Sequence, residues 1–252
     1  MSPVRRATIC IFSYAPAPQN FQRCLASVLD HMPLEHIELR LAFASQATDS
    51  FHHALGTLCP DGVTPRYEKL PEEVERFGWT TKEGVPVWAW QSTAKSPVVE
   101  RVHRQSRWLY HDVPLQTDYM IALDEAAFVE AGWWGALSPL LEQGIDYIGK
   151  AQWQDYVPAQ AVMIQAQPWY MGVPFARQNG RAGVSFMTGG FLALRSGRLR
   201  EANFPPPGAS AREGSTPGVD SDVVLGEIAR QLGWTQAAHH QHVSTPACTH
   251  NE

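Results

Sequence analysis

Asp124 and Glu125 have the clearest chemical setting in this chain. They end a short apolar run, Tyr119 to Leu123, within TDYMIALDEAAFVEAGWW at 117–134. A buried strand that delivers carboxylates at its carboxyl end is where an open α/β sheet places its chemistry. Carboxylates there can accept a proton or hold a hard divalent cation through oxygen. Asp220 and Asp222 form a second acidic group, just before the amphipathic run VVLGEIARQLG; an acid at a helix start is either a cap or a reactive group. Lys95, Arg101 and Arg104 form a third group, around a helix opened by Ser96 and Pro97. A helix N-terminus flanked by cations is an anion site, and a solvated basic face fits the same charge pattern. His239, His240 and His242 cluster near the end of the sequence.

The elements that must position these residues are legible in part. Residues 7–13 read as a buried strand. Phe21, Cys24, Leu25, Val28, Leu29 and Met32 then recur at helical spacing, with Asn20 as the expected N-cap. A second strand covers 37–44. Strand, helix, strand in this order is a βαβ unit and implies a parallel sheet. A short helix is expected over 51–58. Residues 59–94 show weak periodicity and read as a long connecting segment with a strand near 66–70, and their Trp79, Trp88 and Trp90 are a candidate wall of a binding site. After Trp134 come a short helix at 139–143, stopped by Gly144, and a strand at 145–149. Residues 150–182 are aromatic and polar without a clear period. VSFMTGGFLALRSG at 184–197 reads as strand, double glycine, strand; Gly189 and Gly190 imply a bulge or a close approach by a ligand. Residues 204–218 form a loop, and a helix follows Asp222 and stops at Gly233.

The strand, acid pair and aromatic pair of 117–134 resemble the donor-site strand of GT-A fold glycosyltransferases, in particular the family-2-like group. The βαβ opening, the GG-aromatic strand at 189–191 and the acid-led helix at 222 follow in that family's order. The resemblance implies one GT-A-like α/β domain over 1–252 with a mostly parallel sheet flanked by helices. Its donor half would cover about 1–126 and its acceptor half about 127–252. It implies transfer of a sugar, with inversion, from a nucleotide-sugar, a UDP-sugar being the expected donor, to an acceptor hydroxyl. Tyr14 would lie near the base, Lys95 or Arg101 would touch the diphosphate, and Asp124 and Glu125 would hold the donor and a divalent Mn²⁺ or Mg²⁺. Asp222 would be the catalytic base, with Asp220 as the alternative. Gly189, Gly190, Phe191 and Trp169 would face the acceptor, and the regions 153–170 and 205–217 would shape its site. The chain departs from the family pattern twice. Ala126 replaces the third-position acid that ligates the metal, so Glu125 or a late histidine, His240 foremost, would have to compensate. The second strand ends in Ala44-Ser45-Gln46 where the family carries a base-binding acid.

Bulk properties narrow the alternatives. The net charge is −5 over 252 residues, so the chain as a whole is not built to coat nucleic acid. No run approaches the roughly 18 apolar residues of a membrane span. The four cysteines lack the paired short spacing of a zinc site or a disulfide framework, so a reducing cytoplasm is expected. No P-loop, GxGxxG or GxSxG motif is present. Two further readings share the resemblance. One is a same-fold enzyme acting on a hydroxymethylated base in DNA, with Arg177, Arg181, Arg195, Arg198 and Arg200 as a local basic face. The other is a non-catalytic sugar-nucleotide-binding module.

Overall fold

The computed structural model describes residues 7–14, 18–71, 73–93, 107–202, 204, 221–239 and 241–244. The expectations for Lys95, Arg101, Arg104, Asp220, His240 and the segment 205–217 lie outside the described residues.

The chain opens with β1 (Ala7–Ser13), α1 (Gln19–His31), β2 (Ile37–Phe43) and α2 (Thr48–Leu58). Every residue of β1 and β2 is buried, and the two strands pair in parallel from Ala7↔Ile37 to Ser13↔Phe43. Strands covered on both faces need no polar alternation; β1 reads as a mainly apolar run, and β2 departs from one only at Glu38 and Arg40, which are buried as an ion pair. The helix α1 begins before Asn20: Pro18 takes the cap position with no side-chain hydrogen bond, and its carbonyl accepts from the Gln22 N–H at 2.8 Å.

Residues 59–94 differ from the sequence reading. They form three strands, β3 (Arg66–Leu70), β4 (Val74–Thr80) and β5 (Pro86–Ser92). An antiparallel meander joins them, and β5 then pairs in parallel with β2. The strand β3 is exposed along most of its length, and β4 buries only Val74 and Trp79, so no core imposes a period on them. Their tryptophans serve packing. Trp79 and Trp90 are buried, Trp90 Nε1 donates to Asp112 Oδ2 at 2.7 Å, and Trp88 lies beneath the Arg76 guanidinium.

The second half supplies β6 (Tyr119–Asp124), β7 (Phe128–Val129), α3 (Trp133–Glu142), β8 (Tyr147–Asp155), α4 (Pro158–Gln165), β9 (Ala176–Gln178) and β10 (Arg181–Arg195). It continues with α5 (Ser196–Ala202), α6 (Ser221–Gln231), β11 (Gln236–Ala238) and β12 (Val243–Ser244). The main sheet runs β11-β8-β10-β6-β1-β2-β5-β4-β3, with β9 added to β10. β1, β2, β5, β6, β8 and β11 point one way, and β10 and β4 run against them. Alternate strand residues face opposite layers. One layer joins α1, α2 and α3 through Phe21, Leu25, Phe51 and Trp133 to Ile11, Leu41 and Leu123. The other joins α6 through Val224, Leu225 and Ile228 to Phe12, Ala122 and Leu192.

Candidate active site

The carboxyl ends of β1 and β6 are neighbours in register, with Phe12 opposite Asp124. That register brings two sequence-predicted residues into contact: Tyr14 OH donates to Asp124 Oδ2 at 2.9 Å. The Ala126 N–H donates to the other oxygen, Asp124 Oδ1, at 2.9 Å, and closes a tight turn on the acid. Each carboxylate oxygen keeps a second lone pair for a ligand. Burial raises the Asp124 carboxyl above its ordinary range, and the Ala126 and Tyr14 hydrogen bonds offset part of that rise.

Glu125 has a different environment. It is 2% exposed, and its Oε2 accepts from Ser13 Oγ at 2.7 Å. Phe12 belongs to the α6 layer, so Asp124, its partner in register, faces that layer too. Glu125 is engaged with Ser13, one residue on from Phe12. Cys24 of α1 lies close to both acids: burial first, then the charges of Asp124 and Glu125, push its thiol up. The adjacent acids are thus inequivalent, Asp124 partly open and Glu125 enclosed.

The double glycine stands beside this turn. Phe191 of β10 pairs with Leu123, the residue before Asp124. Against β8 the register jumps from Leu192↔Gly149 to Met187↔Ala151, so Thr188 to Phe191 all face the single residue Lys150. This is the bulge implied by Gly189 and Gly190, and it begins level with Asp124. Gly149 permits it: a Cβ there would stand 2.9 Å from both Met187 Cβ and the Phe191 carbonyl oxygen. Tyr147, buried in β8, pins the far side of the bulge; its hydroxyl accepts from the Met187 N–H at 3.1 Å and donates to the Met187 carbonyl at 3.4 Å. Asp222, in the first turn of α6, is close enough for its charge to add to the burial that raises the Tyr147 phenol. Asp124, Gly190 and Asp222 are therefore gathered around one bulge, while the Phe191 ring is buried in the other layer against Trp133. Trp169 lies apart, packed on the α6 layer between α4 and β9, with its Nε1 buried and without a hydrogen-bond partner among the described residues.

Three side chains escaped the sequence reading. Ser13 holds Glu125. Gln46 Nε2 donates to the Tyr14 carbonyl at 2.6 Å, so the segment after β2 braces the one after β1. Gln91, buried at the end of β5, donates to the Ala44 and Ser92 carbonyls at 3.1 Å. Ser13 and Gln91 each stand at a strand's carboxyl end, which was the available signal. Among the histidines, His239 follows β11 at the same sheet edge as Asp124 and meets Phe191 edge-on at 6.0 Å. His242 packs by Gly132 at the start of α3, and its carbonyl accepts from the Glu130 N–H. Among the described residues no group of three or more His, Cys, Asp or Glu could hold a metal ion.

No family model and no curated protein sequence matches the chain. Solved structures do. The mannosyltransferase PcManGT from Pyrobaculum calidifontis, in complex with GDP-Man and Mn²⁺, superposes with a TM-score of 0.54 at 10% identity, over 95% of this chain and 56% of its own. TarS from S. aureus gives 0.54 at 8% identity, over 94% of this chain and 58% of its own. The fold is of the GT-A glycosyltransferase type. The chain spans just over half the length of these solved structures. In the GT-A frame the β1–β6 edge is the meeting point of Tyr14 and Asp124, and the β10 bulge forms its flank. No helix among the described residues is long and apolar enough to cross a membrane.

Proposed function

We propose that the chain is a nucleotide-sugar-dependent glycosyltransferase whose donor half, about 1–126, meets its acceptor half, about 127–252, at the β6–β10 edge. The observation that carries this reading is Asp124, partly open at the carboxyl end of β6 and fixed by Tyr14 and the Ala126 N–H in a GT-A-type fold. Tyr14 and Asp124 contact the donor, and Lys95 and Arg101 bear on its diphosphate. Asp222 takes the acceptor's hydroxyl proton. The freed oxygen then bonds to the anomeric carbon, and the bond to the diphosphate breaks with its electrons leaving on the nucleotide. Asp220 is the alternative base. Gly189 and Gly190 border the acceptor; the other two residues expected there do not face it, since the Phe191 ring is buried against Trp133 and Trp169 lies apart.

A divalent metal fits this site in one way. Of the two acids that end β6, Asp124 is the open one, because Glu125 is buried and engaged by Ser13, and Ala126 brings no ligand. Mn²⁺ or Mg²⁺ is commonly held by one or two carboxylates plus substrate phosphates. Asp124 would therefore hold a metal carried in by the diphosphate, with His240 as a candidate further ligand, and the ion would supply charge to the leaving group. The GDP-Man and Mn²⁺ found on PcManGT support testing guanine as well as uracil nucleotides.

Calorimetric titration of UDP, GDP and their sugars, with and without Mn²⁺, tests the assignment. Wild-type protein should bind one nucleotide class, and Asp124→Ala should abolish that binding. Asp222→Asn should retain binding and lose transfer, because only the proton acceptor changes. Nucleotide affinity untouched in Asp124→Ala refutes the donor site, and full turnover in Asp222→Asn moves the base elsewhere. Binding without any turnover of wild type would favour the non-catalytic module.

A further inference from the structure

Beyond the acid turn, β8 and β10 continue as an antiparallel ribbon. Pairing runs from Met187↔Ala151 to Gly183↔Asp155, and β9 adds Gln178↔Arg181. One ribbon face carries Val184 and Phe186, both buried, with Gly226 of α6 against Phe186. Side chains alternate along a strand. Trp153, Asp155, Arg181 and Gly183 therefore share the opposite face.

That face is organised. The Trp153 indole lies across Gly183, where a Cβ would overlap the Gln154 carbonyl oxygen and stand 2.7 Å from Trp153 Cζ2 and 3.0 Å from Cε2, so a larger residue would displace both the β8 backbone and the ring. Trp153 Nε1 donates to Asp155 Oδ1 at 2.7 Å, and Arg181 Nη1 donates to Asp155 Oδ2 at 3.0 Å. These two bonds hold the Asp155 carboxyl below its usual range, so it is ionised at neutral pH. The β9–β10 turn, with Asn179 at φ 52° and Gly180 at φ 79°, brings Gln178 and Asn179 to the same cleft.

We propose that this ribbon cleft, lined by Trp153, Asp155, Arg181, Gln178 and Asn179, binds a pyranose unit of an extended carbohydrate acceptor, away from the bond being made. This rests on the glycosyltransferase reading. An indole offers a flat apolar surface for the C–H face of a sugar ring. Around it stand a carboxylate that accepts hydroxyl protons, a guanidinium that donates, and two carboxamides that do both. An aromatic floor with a few fixed polar groups is the ordinary make-up of a small-ligand site. Nucleic acid fits less well, because Asp155 already takes the charge of Arg181 in the cleft. The position also suits an extended acceptor. Leu192 is level with both Ala122 and Gly149, so β8 passes the level of Asp124 at Ala151. Trp153 and Asp155 lie two and four residues further on and two strands to the side, on the order of 12–16 Å from Asp124 along the sheet. They are on the ribbon face turned from α6, whereas Asp124 faces α6, so an acceptor that reaches both must pass the ribbon's edge; an oligosaccharide is long enough for that and a single sugar is not.

The test titrates cello-, manno-, malto- and chitotetraose into the full chain without nucleotide, read by calorimetry and tryptophan fluorescence. At least one tetraose should bind. Trp153→Ala should weaken it by about tenfold or more, or ~1.4 kcal/mol, and Asp155→Asn should weaken it too, with UDP and GDP binding unchanged. Arg181→Gln alters a side chain that is 76% exposed, so its loss of binding is readable without loss of the ribbon. Far-UV circular dichroism confirms that each variant is folded. The proposal is overturned if no tetraose binds wild type at millimolar concentration, or if all three variants bind as wild type does. Nucleotide binding without saccharide binding would keep the glycosyltransferase reading and remove this subsite. Saccharide binding that needs Trp153 in a protein that binds no nucleotide would do the reverse.

Discussion

Gly226 of α6 and Gly56 of α2 should answer the same substitution with opposite signs. A glycine inside a helix costs about 0.5–1 kcal/mol relative to alanine. At Gly56 an added methyl meets nothing within 4 Å. Gly56→Ala should therefore stabilise the fold by about 0.5 kcal/mol, the lower end because Gly56 is near the end of α2. At Gly226 the methyl would stand 2.5 Å from Phe186 Cβ, 2.8 Å from the Ser185 carbonyl oxygen and 3.0 Å from Phe186 Cα. These are backbone and stem atoms of β10, so no rotamer change relieves the overlap. Carbon atoms pack at about 3.5–4.0 Å, so α6 must back away by about 1 Å. Overpacking of this kind costs about 1–3 kcal/mol, and the gain in helix propensity offsets up to about 1 kcal/mol. The net loss of about 1–2 kcal/mol lowers Tm by roughly 2–8 °C for a chain of this size. Thermal unfolding of wild type and the two variants, followed by circular dichroism at one pH, is the assay. A Gly226→Ala protein as stable as wild type would refute the close seating of α6 on β10. The displacement also reaches the site, since Asp222 lies one helical turn before Gly226. A shift of about 1 Å can cost on the order of 10²-fold in rate, so transfer by Gly226→Ala should fall far more than its nucleotide affinity.

Asp124→Asn should raise stability while removing donor binding. The folded protein holds the Asp124 proton more tightly than the unfolded chain does, because burial raises its pKa. Stability therefore falls as pH rises from the unfolded value of about 3.9 through the folded value, and the deficit persists above it. The variant lacks this deficit, so its Tm should exceed wild type at pH 7 and match it at pH 3; equal Tm values at both would contradict the burial. Ser13→Ala removes the hydroxyl that Glu125 accepts from at 2.7 Å. A loss of about 1–3 kcal/mol is expected, read as a lower urea midpoint with unchanged slope, and an unchanged midpoint would mean that Glu125 has no need of Ser13. Arg40 is fully buried, pairs with Glu38 Oε1 at 2.7 Å and donates to the Leu109, Val113 and Pro114 carbonyls. Arg40→Ala strands Glu38 and three carbonyls, so about 3–5 kcal/mol should be lost; a variant with wild-type Tm would show that the pair contributes nothing.

The parts of the fold legible in the sequence are those whose signal is local. β1, β2 and β6 lie in the sheet centre, covered on both faces, so burial wrote them as mainly apolar runs ending at Ser13, Phe43 and Asp124, with the paired Glu38 and Arg40 as the exception in β2. The double glycine marked the β10 bulge because a bulge relaxes the demand for side chains. The meander β3–β4–β5 was not legible, since edge strands with exposed faces carry no core-imposed period. Nor was the length of β8, whose outer half leaves the core and turns polar. In the site, the sequence named Asp124, Glu125 and Tyr14 but treated the acids alike. Only the parallel register of β1 on β6 separates them, giving Asp124 to Tyr14 on the α6 side and Glu125 to Ser13 in an enclosed setting. The cleft at Trp153 is decided the same way: Arg181 stands 26 residues from Asp155, and cross-strand pairing alone sets them on one face. Residue types are local and can be read along the chain. Which side chain shares a face with which is set by strand register, and register forms only when distant segments pair.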